Sequence, residues 1–599
     1  MKNLIKSIPV CLVLWLSTGC NDSYLDRLPE TMIGKENFFN SEEDLNLYIL
    51  NLYDFPSTGI YIADGATDNA ATTGNTELKT MMISNPSSVT IAGGWSWEKL
   101  RNVNFFLENF RNANISQERL DHYEGLARYF RARFYVGMVK RYSDVPWIDQ
   151  VVTPENEAIL FAQRDSREVV VEKIMEDFAF AAQNVSTTGG MGAVNQWVVK
   201  VDYSRFALYE GTFRKYHSEL ELGESAPDFL QIAVDLAEDI MNNGGFSIYN
   251  SGNPMNDFAH LFASEDLSGN SEVIMARHYQ DDVLDGDSGT DMFGNYEYNP
   301  VKDLVQAYLM RDGSFYSNNS NYNTFGFIEE FEDRDPRLYQ SFAYPGWELI
   351  YTSTYTQGGG LYVQQLAKNF SGYHQIKGFY NTTDQAVRNN MDVPLYRYSE
   401  VLLTLAEGKA ELGNISQGDL DRSINILRTR VDMPTMTLNQ EIDPVQESRY
   451  PNVQGAQKNL ILEIRRERRV ELAFEGFRYD DLMRWNAGKL LEKEPQGIYF
   501  GGLGKYDMNG DGEPDIYLIP SSSSIPEEKE TNGLGEPLRY YRTGVFGQDV
   551  SVFLSQGDLG NIQITEDIGE FIEPKYYYRP IPQNEVTLNP NLTQIFGWE

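Results

Sequence analysis

Apolar residues recur at three- and four-residue spacing in block after block of the first half of the chain. In SEEDLNLYILNLYDF, Ser41 precedes Leu45, Tyr48, Ile49 and Leu52, which predicts a helix with Ser41 as its N-cap. The stretches WEKLRNVNFFLENF, LDHYEGLARYFRARFYVGMVKRYSDVPW, SREVVVEKIMEDFAFAAQNV and VDYSRFALYEGTFRKYHSEL carry the same period, and the second is expected to stop near Ser143 and Pro146. Successive helices joined by short polar loops predict antiparallel pairs like those of tetratricopeptide arrays, although the consensus signature of that repeat is absent.

From Asn242 to about Asn390 the helical period fades. Glycine, asparagine, tyrosine and aspartate become frequent, VKDLVQAYLMRDG is the one helical pattern, and SEVIMARHY reads as a strand from its branched and aromatic run. Helical spacing resumes at YRYSEVLLTLAEGKAELGN and continues through LDRSINILRTRVDMP to Trp485. The expected fold class is all-α, built of tetratricopeptide-like helical pairs with large irregular loop and small β-hairpin insertions. Three regions follow: a signal at 1–19, an N-terminal helical region at 20–240, and a C-terminal region at 241–599 that contains the loop-rich insertion.

Composition narrows the class. The 599 residues are 41% hydrophobic and 13% aromatic, enough for a sizeable globular core. With 87 acidic against 50 basic side chains the formal charge is −37, which repels phosphate backbones and argues against nucleic acid and anionic membrane surfaces. The start, MKNLIKSIPVCLVLWLSTGC, has a basic end and a short apolar run from Ile8 to Leu16, the pattern of a secretory signal too short to span a bilayer. Ser17-Thr18-Gly19-Cys20 is similar to a bacterial lipobox, with Leu16 one position early; an ordinary secretory signal with an incidental cysteine is the alternative. Acylation at Cys20 would anchor the exported protein, since each buried CH₂ contributes about 0.8 kcal/mol. Cys11, the other cysteine, lies within the signal, so a mature chain has no partner for a disulfide.

Between Leu460 and Trp485 six arginines and six carboxylates alternate with aromatics. Read as a helix, the segment sets Glu467 near Glu471 and Arg468 near Glu471 or Leu472, with Leu472, Phe474 and Phe477 facing packed neighbours. Charges among buried aromatics must be paired, so this segment reads as scaffold and not as a catalytic site. DMNGDGEPD offers oxygen ligands at Asp507, Asn509, Asp511, the Glu513 carbonyl and Asp515, with Gly512 at the sharp turn, which suits structural calcium. Position 12 of that loop is Leu518, which excludes a full EF-hand, and a plain Asn-Gly and Asp-Gly hairpin turn before the strand IYLIP is the alternative. GDSG at 286–289 has no histidine and aspartate in a nucleophile context, and the five histidines are scattered, so no catalytic residues are assigned.

Several long stretches then carry a resemblance. PLYRYSEVLLTLAEGKAELG, INILRTRVDMP and ERRVELAFEGFRYDDLMRW resemble C-terminal hallmarks of the SusD/RagB family of outer-membrane nutrient-binding lipoproteins. CNDSYLDRLPE is similar to that family's mature N-terminus, and RDPRLY (Arg334 to Tyr339) to its mid-chain motif. The resemblance spans nearly the whole mature chain and implies a helical scaffold with a glycan-binding face. It also implies lipid attachment to the cell outer membrane and a partner, a SusC-like TonB-dependent transporter beneath the protein, with this chain as a lid over its pore that delivers oligosaccharide to it. A secreted polysaccharide-degrading enzyme and a peptide-binding member of the same family are the alternatives.

Sugar rings present apolar C–H faces, so a glycan site needs flat aromatic platforms in exposed loops flanked by polar groups. The candidates are Trp95 in AGGWSW, Tyr296 and Tyr298 in GNYEYN, and Trp347 in AYPGWEL. Gly93, Gly94 and Gly346 place the two tryptophans in turns.

Overall fold

The computed structural model describes residues 38–279, 298–350, 359–381 and 390–599. Cys20, Tyr296 and the GDSG stretch lie outside them. The first helix, α1 (Glu42–Leu50), opens on a reciprocal cap: Asp44 N–H donates to Ser41 Oγ at 3.2 Å and Ser41 N–H donates to Asp44 Oδ2 at 2.9 Å. Such a cap contributes about 1 kcal/mol. It is followed by α2 (Glu98–Asn109), α3 (Gln117–Tyr142), α4 (Arg167–Asn184), α5 (Gln196–Tyr216) and α6 (Ala226–Asn243). Helix α3 ends at Ser143, where φ of 63° breaks the helical path, three residues before Pro146.

These helices pair side by side in opposite directions. Gly125 near the start of α3 approaches Val185 after the end of α4, and Arg167 at the start of α4 donates to the Val139 carbonyl at 3.1 Å near the end of α3. Lys200 at the start of α5 likewise pairs with Asp239 at 2.6 Å near the end of α6, and Arg214 donates to Ser225 Oγ at 2.7 Å at the other end. Helix α7 (Tyr398–Leu412) packs on both α5 and α6. One hydrophobic cluster runs from Phe39 to Trp598, so residues on both sides of position 240 share it.

The all-α expectation needs correction. Small sheets occur throughout: β1 (Ala70–Thr72) with β3 (Tyr298–Pro300), β2 (Val273–Arg277) with β6 (Val393–Arg397), and β4 (Glu348–Leu349) with β5 (Gly360–Leu361), all antiparallel. After Gly488 the chain forms β7 (Gln496–Phe500), β8 (Gly504–Tyr506), β9 (Ile516–Pro520), β10 (Arg539–Gly544), β11 (Val552–Phe553) and β12 (Gly560–Gln563). Four of these make a mixed sheet in the order β11-β10-β9-β8, with β9, β10 and β11 parallel, which is more than a hairpin insertion. Runs such as IYLIP and RYYRT favour extended backbone because branched and aromatic side chains pack well on a pleated surface. In the middle, VKDLVQAYLMRDG gives only a single turn of helix at Lys302–Val305, while SEVIMARHY and IYLIP form strands as expected.

The arginine-rich stretch is also more than one helix. After α8 (Ile424–Arg430), helix α9 (Lys458–Glu471) stops and α10 (Arg478–Arg484) starts afresh. Between them Phe474 and Gly476 take positive φ of 63° and 75°, and the Phe474 amide is satisfied by Asp64 Oδ2 at 2.9 Å. The ion pairs expected within one helix are instead made across the fold. Glu471 accepts from Arg397 at 2.7 Å, Arg430 at 2.8 Å and Arg337 at 3.1 Å, while Glu467 accepts from Arg337 at 2.6 Å and Arg428 at 2.8 Å. Arg468 pairs with Asp481 at 2.9 Å. Burial raises the pKa of Glu471, but Arg430, Arg397 and Arg337 outweigh it and hold the carboxyl well below the usual range. The stretch ties the mid-chain RDPRLY segment, β6, α8 and α9 together in a dry interior.

Candidate glycan-binding cleft

The AGGWSW segment forms a ridge leading into α2. Its carbonyl at Gly93 accepts from Arg141 Nη2 and from Tyr142 Oη, both at 2.9 Å. Gly94 has φ of 93°, and a Cβ there would lie 2.5 Å from Arg141 Nε, so only glycine fits under the clamp. Arg141 is itself held by Glu77 at 2.6 Å, which also accepts from Arg579 at 2.7 Å. The ridge therefore presents its tryptophans from a fixed base.

Trp95 and Trp97, both half-buried, meet edge to face at 5.3 Å. Trp95 also stands edge-on to Tyr142 at 4.9 Å, and Trp97 leans on Phe134 at 5.6 Å. Both line a cleft of about 720 Å³, within the size range of small-ligand sites. Its opposite walls come from the chain after α3 (Pro146, Ile148, Gln150, Val152), from Leu160 and Phe161, and from α11 (Gln583–Leu588) with Leu592. Asn589 fixes the last two walls to each other by donating to the Ala162 carbonyl at 2.8 Å.

The polar groups of this cleft are few and distinctive. Asn104 is 1% exposed; its amide nitrogen donates to the Ile148 and Gln150 carbonyls at 3.0 and 3.1 Å, but its Oδ1 accepts nothing. Leaving a buried acceptor unmet costs about 1–3 kcal/mol. Arg101, exposed on the first turn of α2, pairs with no carboxylate among the described residues, unlike most arginines of the chain. Aromatic faces beside an unpaired guanidinium can hold a polyhydroxylated ring, the indoles covering its C–H faces.

Of the four predicted platforms, the three among the described residues are not brought together. Trp95 falls on the cleft. Trp347, half-buried after the Gly346 turn, belongs to another aromatic cluster, at 5.6 Å from Tyr362 and 6.5 Å from Phe379. Tyr298 must be corrected: it is 4% exposed in β3, packed on Phe474 at 6.3 Å, and serves as core because β3 pairs with β1 over it. Trp97, Arg101 and Asn104 were not singled out in the sequence, although the doubled tryptophan of WSW was the available signal.

The predicted calcium loop is the turn of the β8–β9 hairpin. Asp507 accepts backbone N–H groups of Asn509, Gly510 and Gly512 at 3.1, 2.6 and 2.8 Å, and Asp515 accepts those of Met508 and Asn509 at 2.7 and 3.1 Å. Glu513 directs its carboxylate away, to Gly533 N–H at 2.9 Å, leaving only its carbonyl for the loop. Burial pushes the Asp515 carboxyl up, with Asp507 and Asp511 adding to the rise against the backbone donors. Among the described residues no three His, Cys, Asp or Glu side chains form a metal-binding group, so any cation here depends on Asn509 and main-chain oxygen as well.

A family model described as the SusD family matches residues 258–598. A SusD-like protein of Formosa agariphila is 21% identical over 551 residues, covering 86% of this chain and 96% of the relative. A SusD-like protein of Bacteroides ovatus is 22% identical over 340 residues, 53% of this chain and 61% of that one. Among solved structures, a SusD-like protein from Bacteroides fragilis superposes with a TM-score of 0.65 at 19% identity, covering 94% of this chain and 98% of that chain. A SusD-like carbohydrate binding protein from the same species gives 0.64 at 22% identity, covering 93% and 100%.

Proposed function

The chain belongs to the SusD family, and from that premise we propose that it is a cell-surface glycan-binding lipoprotein whose Trp95–Trp97 cleft captures an oligosaccharide. The observation that carries this is the Arg101 guanidinium, without a carboxylate partner among the described residues, beside two half-exposed tryptophans. Binding, not turnover, is the activity: a similar solved structure is that of a carbohydrate binding protein, and the interior carboxylates Glu407, Glu467 and Glu471 are spent on arginines. Acylation at Cys20 would hold the protein on the outer membrane, and the captured glycan would pass to a SusC-like TonB-dependent transporter. Tetratricopeptide-like pairing of α3–α4 and α5–α6 would serve as the rigid support. Calcium at Asp507, Asn509, Asp511, the Glu513 carbonyl and Asp515 would brace the β8–β9 turn.

The test is isothermal titration with a panel of oligosaccharides, read together with product release. A saccharide should bind without release of reducing ends, and Trp95→Ala should weaken it about tenfold or more, the scale of a single aromatic anchor. Release of reducing ends, or unchanged affinity in Trp95→Ala, would overturn the reading.

A further inference from the structure

A second cleft, of about 550 Å³, opens elsewhere on the molecule and shares no residue with the tryptophan cleft. Its walls are unlike the first. Thr72, Gln306, Asn323, Ser448 and Gln496 supply hydroxyl and amide groups, and Tyr322 stands half-buried among them. Charged groups complete it: Lys79, Lys302 and Lys493 against Asp68, Asp303, Glu494 and Asp567.

Most of those charges are spoken for. Lys79 pairs with Asp567 at 3.2 Å; Lys302 pairs with Glu330 at 3.2 Å and donates to Asn561 Oδ1 at 3.1 Å. Asp68 accepts Arg478 at 2.7 Å, and Asp303 accepts Arg449 at 2.5 Å and Arg469 at 2.9 Å; Arg449 also pairs with Asp68. Beneath the cleft, then, three buried arginines meet two carboxylates; on the exposed wall Lys493 has no carboxylate within ion-pair distance among the described residues, and Glu494 offsets one of these charges, leaving a surplus of one. Burial, with Arg449 and Arg469 against Asp303 and Asp68, lowers the Lys493 pKa. Burial, with Arg449 and Arg478, depresses Arg469 in the same way. In a chain of net charge −37 such a surplus is a local exception.

We infer that this cleft is a second saccharide site, one that takes an oxyanion-bearing sugar, with the anionic group on Lys493 and the hydroxyls on the Asp303 edge and the amide-lined walls. The charge is that of a uronate carboxylate or a sulfate ester. Asp303, 37% exposed at its side chain, accepts from sugar hydroxyls, while its own charge is held by Arg449 and Arg469. The inference rests on the saccharide-binding reading but not on the tryptophan cleft.

The experiment titrates the full mature chain with three trisaccharides: galacturonate, 6-sulfated galactose and neutral galactose. At least one acidic ligand should bind about two- to fivefold more tightly than the neutral one, the scale of a partly exposed ion pair, with the advantage shrinking at higher salt. Lys493→Gln should erase that advantage and leave the melting temperature unchanged, whereas Trp95→Ala should leave the advantage in place. Equal binding of all three ligands would overturn the inference, as would an advantage that survives Lys493→Gln but vanishes in Trp95→Ala. Failure of all three to bind, if other neutral glycans do bind, would overturn it and spare the tryptophan cleft; failure of every glycan would remove both readings together. The two acidic arms separate carboxylate from sulfate.

Discussion

The α9–α10 interior and the Trp95–Trp97 cleft both combine aromatic rings with polar groups, and they differ in whether the charged groups have partners of opposite sign. Around Glu471 every charge finds its opposite inside the protein, through Arg337, Arg397 and Arg430. In the cleft, among the described residues, Asn104 Oδ1 has no donor and Arg101 stands without a carboxylate. Charge density alone therefore does not mark a site. A charged group left without its opposite on the wall of a cleft, beside exposed aromatic faces, does, because a ligand can meet it there.

The comparison breaks most readily at the interior. Glu471→Ala removes the carboxylate shared by three buried guanidinium groups, and although Asp335, Glu467, Glu272 and Glu475 remain beside them, the uncompensated buried charge should cost about 3–5 kcal/mol, seen in chemical denaturation. A loss under 1 kcal/mol would mean the network is not the scaffold. The β8–β9 turn is an intermediate case, since Asp507, Asp511 and Asp515 have hydrogen bonds but no cationic partner among the described residues. If calcium fills it, adding calcium at one hundred times its dissociation constant should stabilise the fold by about 2.7 kcal/mol, and chelation should reverse this. A melting curve indifferent to calcium and chelator would leave a plain turn.

Smaller effects sharpen the contrast. Tyr298 is buried with its Oη unpaired, so Tyr298→Phe should leave glycan affinity unchanged and raise stability by up to about 1 kcal/mol. A loss of affinity would return Tyr298 to the list of platforms. His122 tests the same logic through pH. Burial first, and Arg119 second, hold its pKa down to about 4, and its Nδ1 accepts from Ser186 N–H at 3.0 Å. The folded state thus binds fewer protons than the unfolded state between about pH 6.5 and 4, and stability should fall as pH drops through that window. Solvent screening keeps the effect to about 1 kcal/mol, and His122→Gln should flatten that part of the profile.

Much of the scaffold was legible. Ser41 caps α1 as the spacing predicts, and Ser143 ends α3 as the pattern suggests. The strands after Lys493 were less legible, because short branched runs such as IYLIP do not say whether they pair with a neighbour or join a parallel sheet. The site was half legible. Gly93-Gly94 before Trp95 signals a turn, but Asn104 looks like any polar helix residue until Ile148 and Gln150, more than 40 residues away, are seen to occupy its amide and leave its oxygen unmet. Tyr298 misled because its glycine- and asparagine-rich surroundings read as loop, whereas β1 arrives from the far end of the chain to bury it.

The most direct test of the central claim is a crystal structure with the oligosaccharide that titration identifies as the tightest ligand. Sugar rings should lie against Trp95 and Trp97. A ligand ordered against Trp347, with the Trp95–Trp97 cleft filled only by water, would contradict the account.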